Sequence, residues 1–376
     1  MHRGAPLFPE PSKRHRVYGG LTDRQERIFN WTASGVILLF AAGWVGATMM
    51  LRLRPAPPDA AAVAPTVRQV TSGVFDTAAP KTAYINEAML EFLDPLRGES
   101  GALRFAIRQP GSQIVGNRPA GASSVLSGGA GELTTEFTAP ANPGVYKLAV
   151  QIDRARAAIE DFNVITLVPL SRKRGGKIGL YYLGSWPFER GGKPRSPAYA
   201  TPAGFIEVTP QNQNTYVSEH FRLRDFLTKD QYNVWPKYLP LNPKLIDKLE
   251  LAIQELERQG VEVRHMSVMS GFRTPRYNHS GGNTAGRANL SRHMYGDAAD
   301  VYVDNDRNGN MDDINRDGRV NTRDAEMLAQ AVERVERKHP SLVGGIGVYS
   351  ACCGHGPFTH VDVRGFRARW RGTGNG

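Results

Sequence analysis

The sequence predicts an α+β protein with a central antiparallel sheet, preceded by a single transmembrane helix and a small β-sandwich. Three observations predict it. Residues 29–51, "FNWTASGVILLFAAGWVGATMML", carry no charge and are long enough to span a bilayer. Residues 102–170 hold short runs rich in β-branched and aromatic residues, separated by Gly, Pro, Ser and Asn clusters. Beyond residue 240 a helix-period segment leads into several strand-like runs.

The chain has 376 residues, 40% of them hydrophobic, and a formal net charge of +11, which is room for two compact domains with a globular composition. Residues 1–28 form a polar cytoplasmic tail carrying Arg3, Lys13, Arg14, Arg16, Arg24 and Arg27. These precede the span and place the N-terminus inside, while Trp31 and Trp44 sit near its ends, where amphipathic rings favour the interface. A cleaved signal peptide has a shorter apolar core followed by small residues, whereas this run ends in "MMLRLRP". The expectation is therefore an uncleaved anchor in the cytoplasmic (inner) membrane, with the bulk of the chain periplasmic or otherwise extracytoplasmic. The basic excess suits work near anionic polymers or lipid headgroups, and no nucleic-acid partner is expected on that side of a membrane. Oligomeric state is left open.

The only two cysteines, Cys352 and Cys353, are adjacent, which excludes a disulfide scaffold. Neighbouring cysteines close only a strained ring, so a role as small buried residues is expected, and without CxxC spacing they are not zinc ligands.

Residues 52–72 are a Pro/Ala-rich linker. Residues 73–172 then carry "ALRFAIR" (102–108), "ELTTEFT" (132–138), "GVYKLAVQI" (144–152) and "FNVITLVPL" (162–170), spaced like the strands of an immunoglobulin-like β-sandwich. No His, Cys or acidic cluster converges there, so a spacer or binding module is expected. The basic joint "SRKRGGK" (171–177) leads into a second domain over 178–370. Its clearest helix is "PKLIDKLELAIQELERQG": Asn242 caps it, Pro243 opens it, Leu245, Leu249, Ala252 and Leu256 share one face, and Gly260 stops it. "VEVRHMSVMSGFRT" follows as a strand and turn.

His293 and Asp300 lie seven apart in "SRHMYGDAAD", and Asp300 begins the strand-like "DVYVD". In "GPFTHVDVRG", strand alternation puts His360 and Asp362 on one face. Two histidines and a carboxylate, His293, Asp300 and His360, suit a catalytic zinc site, because three protein ligands leave one position open. These residues resemble the zinc D-Ala-D-Ala carboxypeptidases and murein endopeptidases, related to the vancomycin-resistance dipeptidases and the hedgehog fold. The shared pattern, S-x-H-x-x-G-x-A-x-D, is matched by Ser291, His293, Gly296, Ala298 and Asp300, and a late H-x-D by His360 and Asp362. "SGFRT" (270–274) matches the family's S-G-[YF]-R segment. The resemblance covers roughly 178–370. It implies a zinc peptidase acting on peptidoglycan stem peptides, with Arg273 binding or polarising the substrate carbonyl or carboxylate and Ser291 helping to hold the peptide.

The sequence departs from the family at the general base, since Pro357 and Phe358 stand where relatives carry an acid or a His before the last ligand. Asp362, beside the reacting water, is preferred for that role, with His355 of "CCGHGPF" as the second candidate. Asp362 could instead only orient His360. The departure keeps a second class open, a non-catalytic zinc- and calcium-binding envelope scaffold.

Residues 304–324 read as a calcium-loop insertion. Asp313, Asn315, Asp317, Gly318, Asn321 and Asp324 fall at positions 1, 3, 5, 6, 9 and 12 of an EF-hand-type scheme, with the Arg319 carbonyl at position 7, resembling dockerin loops. Asp304, Asp306, Asn308 and Asp312 form a weaker copy just before it. The expected role of calcium is structural, bracing the strand of Asp300. A calcium-dependent adhesion module would explain this insertion but not the zinc set.

Overall fold

In the computed structural model, the described residues are 90–373 apart from 130, 154, 282, 283, 285, 286 and 353. The basic tail, the expected membrane span at 29–51, the linker and the start of the β module lie outside them. Among the described residues no helix is long and apolar enough to cross a membrane. The architecture is mixed α and β, with several sheets and few helices.

The first sheet uses β1 (Phe105–Arg108), β2 (Ala122–Gly128), β3 (Gly131–Thr135), β4 (Gly144–Ile152) and β5 (Ala155–Thr166), in the order β1-β5-β4-β2-β3. Only the β1–β5 joint is parallel. Instead of the two sheets of a sandwich, the ladders of the described residues form this one sheet. Its core is completed by irregular chain: Leu93 of the 3-10 helix Glu91–Arg97, together with Ile114, Val115, Phe137 and Ala139 from the connecting segments. Phe92 meets Phe137 edge to face at 5.3 Å. The connecting segments are rich in Pro and Gly, which break ladders, and between them they form a single isolated bridge, Gln113 to Thr138.

Short strands follow: β6 (Val168–Pro169), β7 (Lys177–Ile178), β8 (Tyr181–Tyr182), β9 (Gly204–Val208) and β10 (Lys237–Leu239), with β10-β9-β6 as one small sheet and β7-β8 as another. Helix α1 runs Pro243–Glu257, and the Asn242 side chain accepts the Lys244 N–H at 3.1 Å as its cap. Leu245, Leu249, Ala252 and Leu256 are buried, as their spacing predicts. So are Asp247, Lys248, Glu250 and Glu255, because neighbours surround the helix and supply each charge with a partner. Asp247, for example, accepts the N–H groups of Glu99 and Ser100 at 2.9 Å each, tying α1 to the first module.

The other five-stranded sheet orders as β11-β12-β14-β13-β15, with β11 (Met266–Ser270), β12 (Ala298–Val303), β13 (Gly345–Tyr349), β14 (Phe358–Asp362) and β15 (Ala368–Gly372). It is antiparallel except at the β13–β15 joint. The short helix α2 (Pro275–Ser280) follows β11, and α3 (Thr322–Lys338) packs with α1 on the sheet. Alternation along β14 sends Val361 into the common core and lets the Thr359 hydroxyl donate to Ala325 of α3 at 2.8 Å, leaving His360 and Asp362 for the opposite face.

A pair beside α1 makes stability depend on pH. The His220 N–H donates to Glu250 Oε1 at 3.0 Å, and its Nδ1 lies 2.8 Å from Oε2. The bond to buried Glu250 raises His220 above an ordinary imidazole, against the opposing effect of burial. The folded state therefore holds this proton more tightly than the unfolded chain does. The stabilisation is full below about pH 6.5 and is lost as pH rises through the raised pKa. Thermal unfolding across this range should show His220→Gln less stable than the parent at acidic pH, with the gap closing at alkaline pH; a gap that stays constant with pH would contradict the charge pairing.

Candidate metal centre

Three elements deliver the three expected ligands. His293 lies in a 3-10 helix, Arg292–Tyr295, that ends at Gly296 with φ 68°. A Cβ on Gly296 would stand 1.9 Å from the Pro240 carbonyl oxygen, so both the left-handed turn and the close approach require glycine. Asp300 on β12 pairs directly with His360 on β14 across the antiparallel ladder. His293, Asp300 and His360 are all buried, and their ligand atoms lie within 4.8 Å of one another.

The orientation of each donor follows from its other hydrogen bond. His293 Nδ1 donates to the Gly271 carbonyl at 2.6 Å, which turns Nε2 inward to 3.2 Å from His360 Nδ1 and 3.3 Å from Asp300 Oδ2. His360 Nδ1 is 2.8 Å from Asp300 Oδ1. Donors 2.0–2.1 Å from a tetrahedral zinc stand roughly 3.3 Å apart, so this donor set and its spacing fit zinc without rearrangement of the backbone.

The proton balance also fits. Burial, and then the Arg273 charge, push His293 down to about 4, so it is neutral at physiological pH and able to ligate. Burial also pulls on His360, but its bonds to Asp300 and Asp362 win and hold it above an ordinary imidazole. Burial raises Asp300, but the bonds it accepts from His360 and Arg273 hold it ionised, well below the usual carboxylate range. His360 is thus the donor at which a metal would compete most directly with a proton.

Asp362 shares the face of His360, as strand alternation predicts, and adopts the orienting arrangement. The structure places it on His360 Nε2, at 3.1 Å, the ring nitrogen opposite the one that faces Asp300. The Asp362 carboxylate also accepts the Gly345 N–H at 2.8 Å and Arg364 Nε at 2.9 Å, and is fully buried. Burial raises this carboxyl, but His360 and Arg364 hold it far below the usual range. Such a group orients a ligand.

A cleft of about 230 Å³ opens beside the donors, lined by Lys229, Ser270, Gly271, Arg273, Tyr277, Arg287, Asp300 and His355 among others. Arg273 reaches it, but its Nη2 also donates to Asp300 Oδ2 at 2.9 Å and its Nε to Ser270 Oγ at 2.9 Å, so part of its fork holds the ligand. Ser291 is buried and is not among the residues lining the cleft. His355 lines it, with Nδ1 2.7 Å from the Gly356 carbonyl and its ring edge-on to Phe358. Its loop also carries Cys352, which is half-buried and disulfide-bonded rather than a buried thiol. Lys229, Tyr277 and Arg287 were missed from sequence. Lys229 is placed by its neighbours: the Thr228 hydroxyl donates to the Phe272 carbonyl at 3.0 Å, and Phe272 N–H donates to Phe226 at 2.9 Å. Nothing in "FLTKD" signals that latch.

In the acidic insertion one local fold occurs twice, nine positions apart. Asp304 accepts the N–H groups of Asn308 and Gly309 at 2.9 and 3.2 Å, and Asp313 those of Asp317 and Gly318 at 3.1 and 2.8 Å. Arg307 and Arg316 have φ of 58° and 60°, and Gly309 and Gly318 of 84° and 82°. Carboxylate oxygens gather within 4.8 Å only in the copy rated weaker, at Asp304, Asp306 and Asp312. Asp313, Asp317 and Asp324 are not gathered in this way among the described residues. Asp324 instead accepts the Asn315 and Asn321 N–H groups at 3.2 and 2.8 Å, closing the capping box of α3. Asn315 Oδ1 likewise accepts the Asp317 N–H, at 2.9 Å.

Residues 234–338 match the family model of peptidase M15. The matched span contains Arg273, Ser291, His293 and Asp300 and supports a peptidase, a family whose members depend on zinc. It stops before His355, His360 and Asp362, so the second imidazole joins the site through the β12–β14 ladder. No curated protein matches the chain, and no solved structure does.

Zinc titration of the full chain should saturate near one equivalent and release about one proton below the raised pKa of His360, as calorimetry in buffers of different ionisation enthalpy would read. His293→Ala and His360→Ala should lose this binding. Undiminished stoichiometric zinc in both variants would mean that other residues hold the metal.

Proposed function

We propose that this chain is a zinc peptidase of the cell envelope that hydrolyses D-amino-acid-containing peptide bonds of peptidoglycan, as a D,D-carboxypeptidase or a cross-link endopeptidase. The observation that carries this reading is the buried His293, Asp300 and His360 donor set beside a cleft whose walls are basic. Zinc, when bound, supplies a Lewis acid that polarises the scissile carbonyl and acidifies water. Arg273 holds Asp300 and presents the rest of its fork to the developing oxyanion. Lys229 and Arg287 favour a carboxylate-bearing stem peptide.

In this reading Asp362 orients His360, and His355 is the proton carrier. Its Nδ1–H donates to the Gly356 carbonyl, and its ring lines the cleft. His355 takes a proton from the attacking water and returns it to the leaving amine. One observation favours the non-catalytic alternative, an envelope scaffold: among the described residues Asp300 is the only carboxylate lining the cleft, and it is already used. Digestion of purified muropeptides, with products identified by mass, separates the two. Release of D-Ala or of cross-linked halves, suppressed by chelator and reduced about 10²–10⁴-fold in His355→Ala with zinc retained, is expected of the enzyme. Intact muropeptides after digestion with zinc-loaded protein would leave the scaffold reading.

Two further assignments belong to this proposal. The uncharged run 29–51 and the basic residues before it support a single-pass anchor with the catalytic domain outside the cytoplasm. A reporter fused after residue 376 should then be active only outside; activity in the cytoplasm would overturn the location. The repeated loop fold at 304–324 supports a structural calcium ion. Calcium at a hundredfold excess over its dissociation constant should stabilise the protein by about 2.7 kcal/mol, raising the unfolding temperature. An unfolding temperature unchanged between calcium and chelator would make the insertion an ordinary acidic turn.

A further inference from the structure

Among the buried charges that the proposed chemistry does not use, one reaches the metal centre. Lys248, in the middle of α1, is fully buried. Its Nζ donates to Glu336 Oε1 of α3 at 2.7 Å and to the main-chain carbonyl of Asp362 at 2.7 Å. The same Glu336 oxygen accepts the Gly344 N–H at 2.9 Å, and its other oxygen pairs with Arg369 of β15. A buried ion pair is weak evidence for stability, since apolar residues of similar volume often serve equally well or better. The partner of Lys248 is therefore the informative part.

Asp362 is the last residue of β14, where the ladder to β12 ends at the Ala298–Asp362 pair. From there its side chain must hold His360 Nε2 at 3.1 Å. The chain opposite leaves no slack: a Cβ on Gly344 would stand 1.9 Å from the Asp362 carbonyl oxygen. The Lys248 ammonium grips that carbonyl from the helix layer, and Gly345 N–H grips the carboxylate at 2.8 Å. Asp362 is thus fixed at both main chain and side chain, and the His360 ring with it.

We propose that Lys248, held by Glu336, is a positioning residue for the metal ligand His360, acting through the Asp362 main chain to set zinc affinity and geometry. This rests on the reading of His293, Asp300 and His360 as a zinc site. It assigns a function in the metal centre to two residues on helices that contribute no ligand. It also makes the α1–α3 contact part of the site.

The test uses the full chain, with zinc affinity measured by chelator competition and geometry by the visible spectrum of the cobalt(II) form. Lys248→Met removes the grip and leaves Glu336 to Arg369 and the Gly344 N–H; Lys248→Met with Glu336→Leu is the second variant, replacing the pair with apolar volume. Both variants are expected to bind zinc about tenfold more weakly, in the lower part of the range for residues that orient ligands, and to shift the cobalt bands. A merely structural role would change the unfolding temperature and leave the affinity and spectrum of the folded protein unmoved. A folded double variant with parental affinity and spectrum overturns the proposal. So does failure of both variants to fold, which would make the pair structural. A parent chain that takes up no zinc overturns the metal reading itself and this one with it.

Discussion

The pairing of Asp300 with His360 across the β12–β14 ladder is the constraint on which the rest of the site depends. Antiparallel pairing fixes where a carboxylate and an imidazole meet without relying on flexible chain. One strand beyond lies β11, which carries Ser270 and leads to Gly271 and Arg273. Gly271 offers the carbonyl that turns His293, and Arg273 donates to Asp300. On the other side His360 faces Gly347 of β13, where a Cβ would collide with the Trp370 ring at 2.4 Å. Trp370 can lie against His360, 5.0 Å between ring centroids, because that position has no side chain.

Burying this many charges demands partners for each, since an unpaired buried ion costs several kcal/mol. Around the donors the balance is local: Asp300 with Arg273 and two imidazoles, Asp362 with Arg364 and His360, Asp297 with Arg292, Glu336 with Lys248 and Arg369. The network leaves His293 neutral and raises the proton affinity of His360, so a divalent cation would compete with a proton in a cage already satisfied by hydrogen bonds. The cleft beside it keeps Lys229 and Arg287 on its walls, placing positive charge where a substrate would lie. A hydrogen-bonded cage of this kind orients its ligands in advance of the metal, which is what metal affinity depends on.

Residues whose role follows from local pattern were legible in the sequence. Asn242 and Pro243 start α1 where capping chemistry says they should, and period-2 alternation separates His360 from Val361. The donor set His293, Asp300 and His360 was readable as residue types at intervals, and the fold brings the three together. What could not be read depends on the third dimension. Alternation puts Asp362 on the face of His360, but only the structure shows that it meets the far ring nitrogen. The connecting segments of the first module, read as bounding strands of a sandwich, complete the core themselves. Lys229 reaches the cleft through the Thr228 latch to Phe272, and Lys248 is buried although its position on an amphipathic helix suggests solvent; neither contact has a counterpart in spacing. In the acidic insertion the spacing showed the repeat but not which carboxylates gather, Asp304, Asp306 and Asp312, while Asp324 closes the capping box of α3.

The central claim is that one zinc ion is held by two imidazoles and one carboxylate drawn from β12, β14 and the 3-10 helix of His293. X-ray absorption at the zinc edge of the zinc-loaded full chain tests it most directly. The account predicts a first shell of nitrogen and oxygen at about 2.0–2.1 Å, with the outer scattering of two imidazole rings and no sulfur. A sulfur contribution near about 2.3 Å, which would bring Cys352 or Cys353 into the shell, or the absence of imidazole scattering, would contradict it.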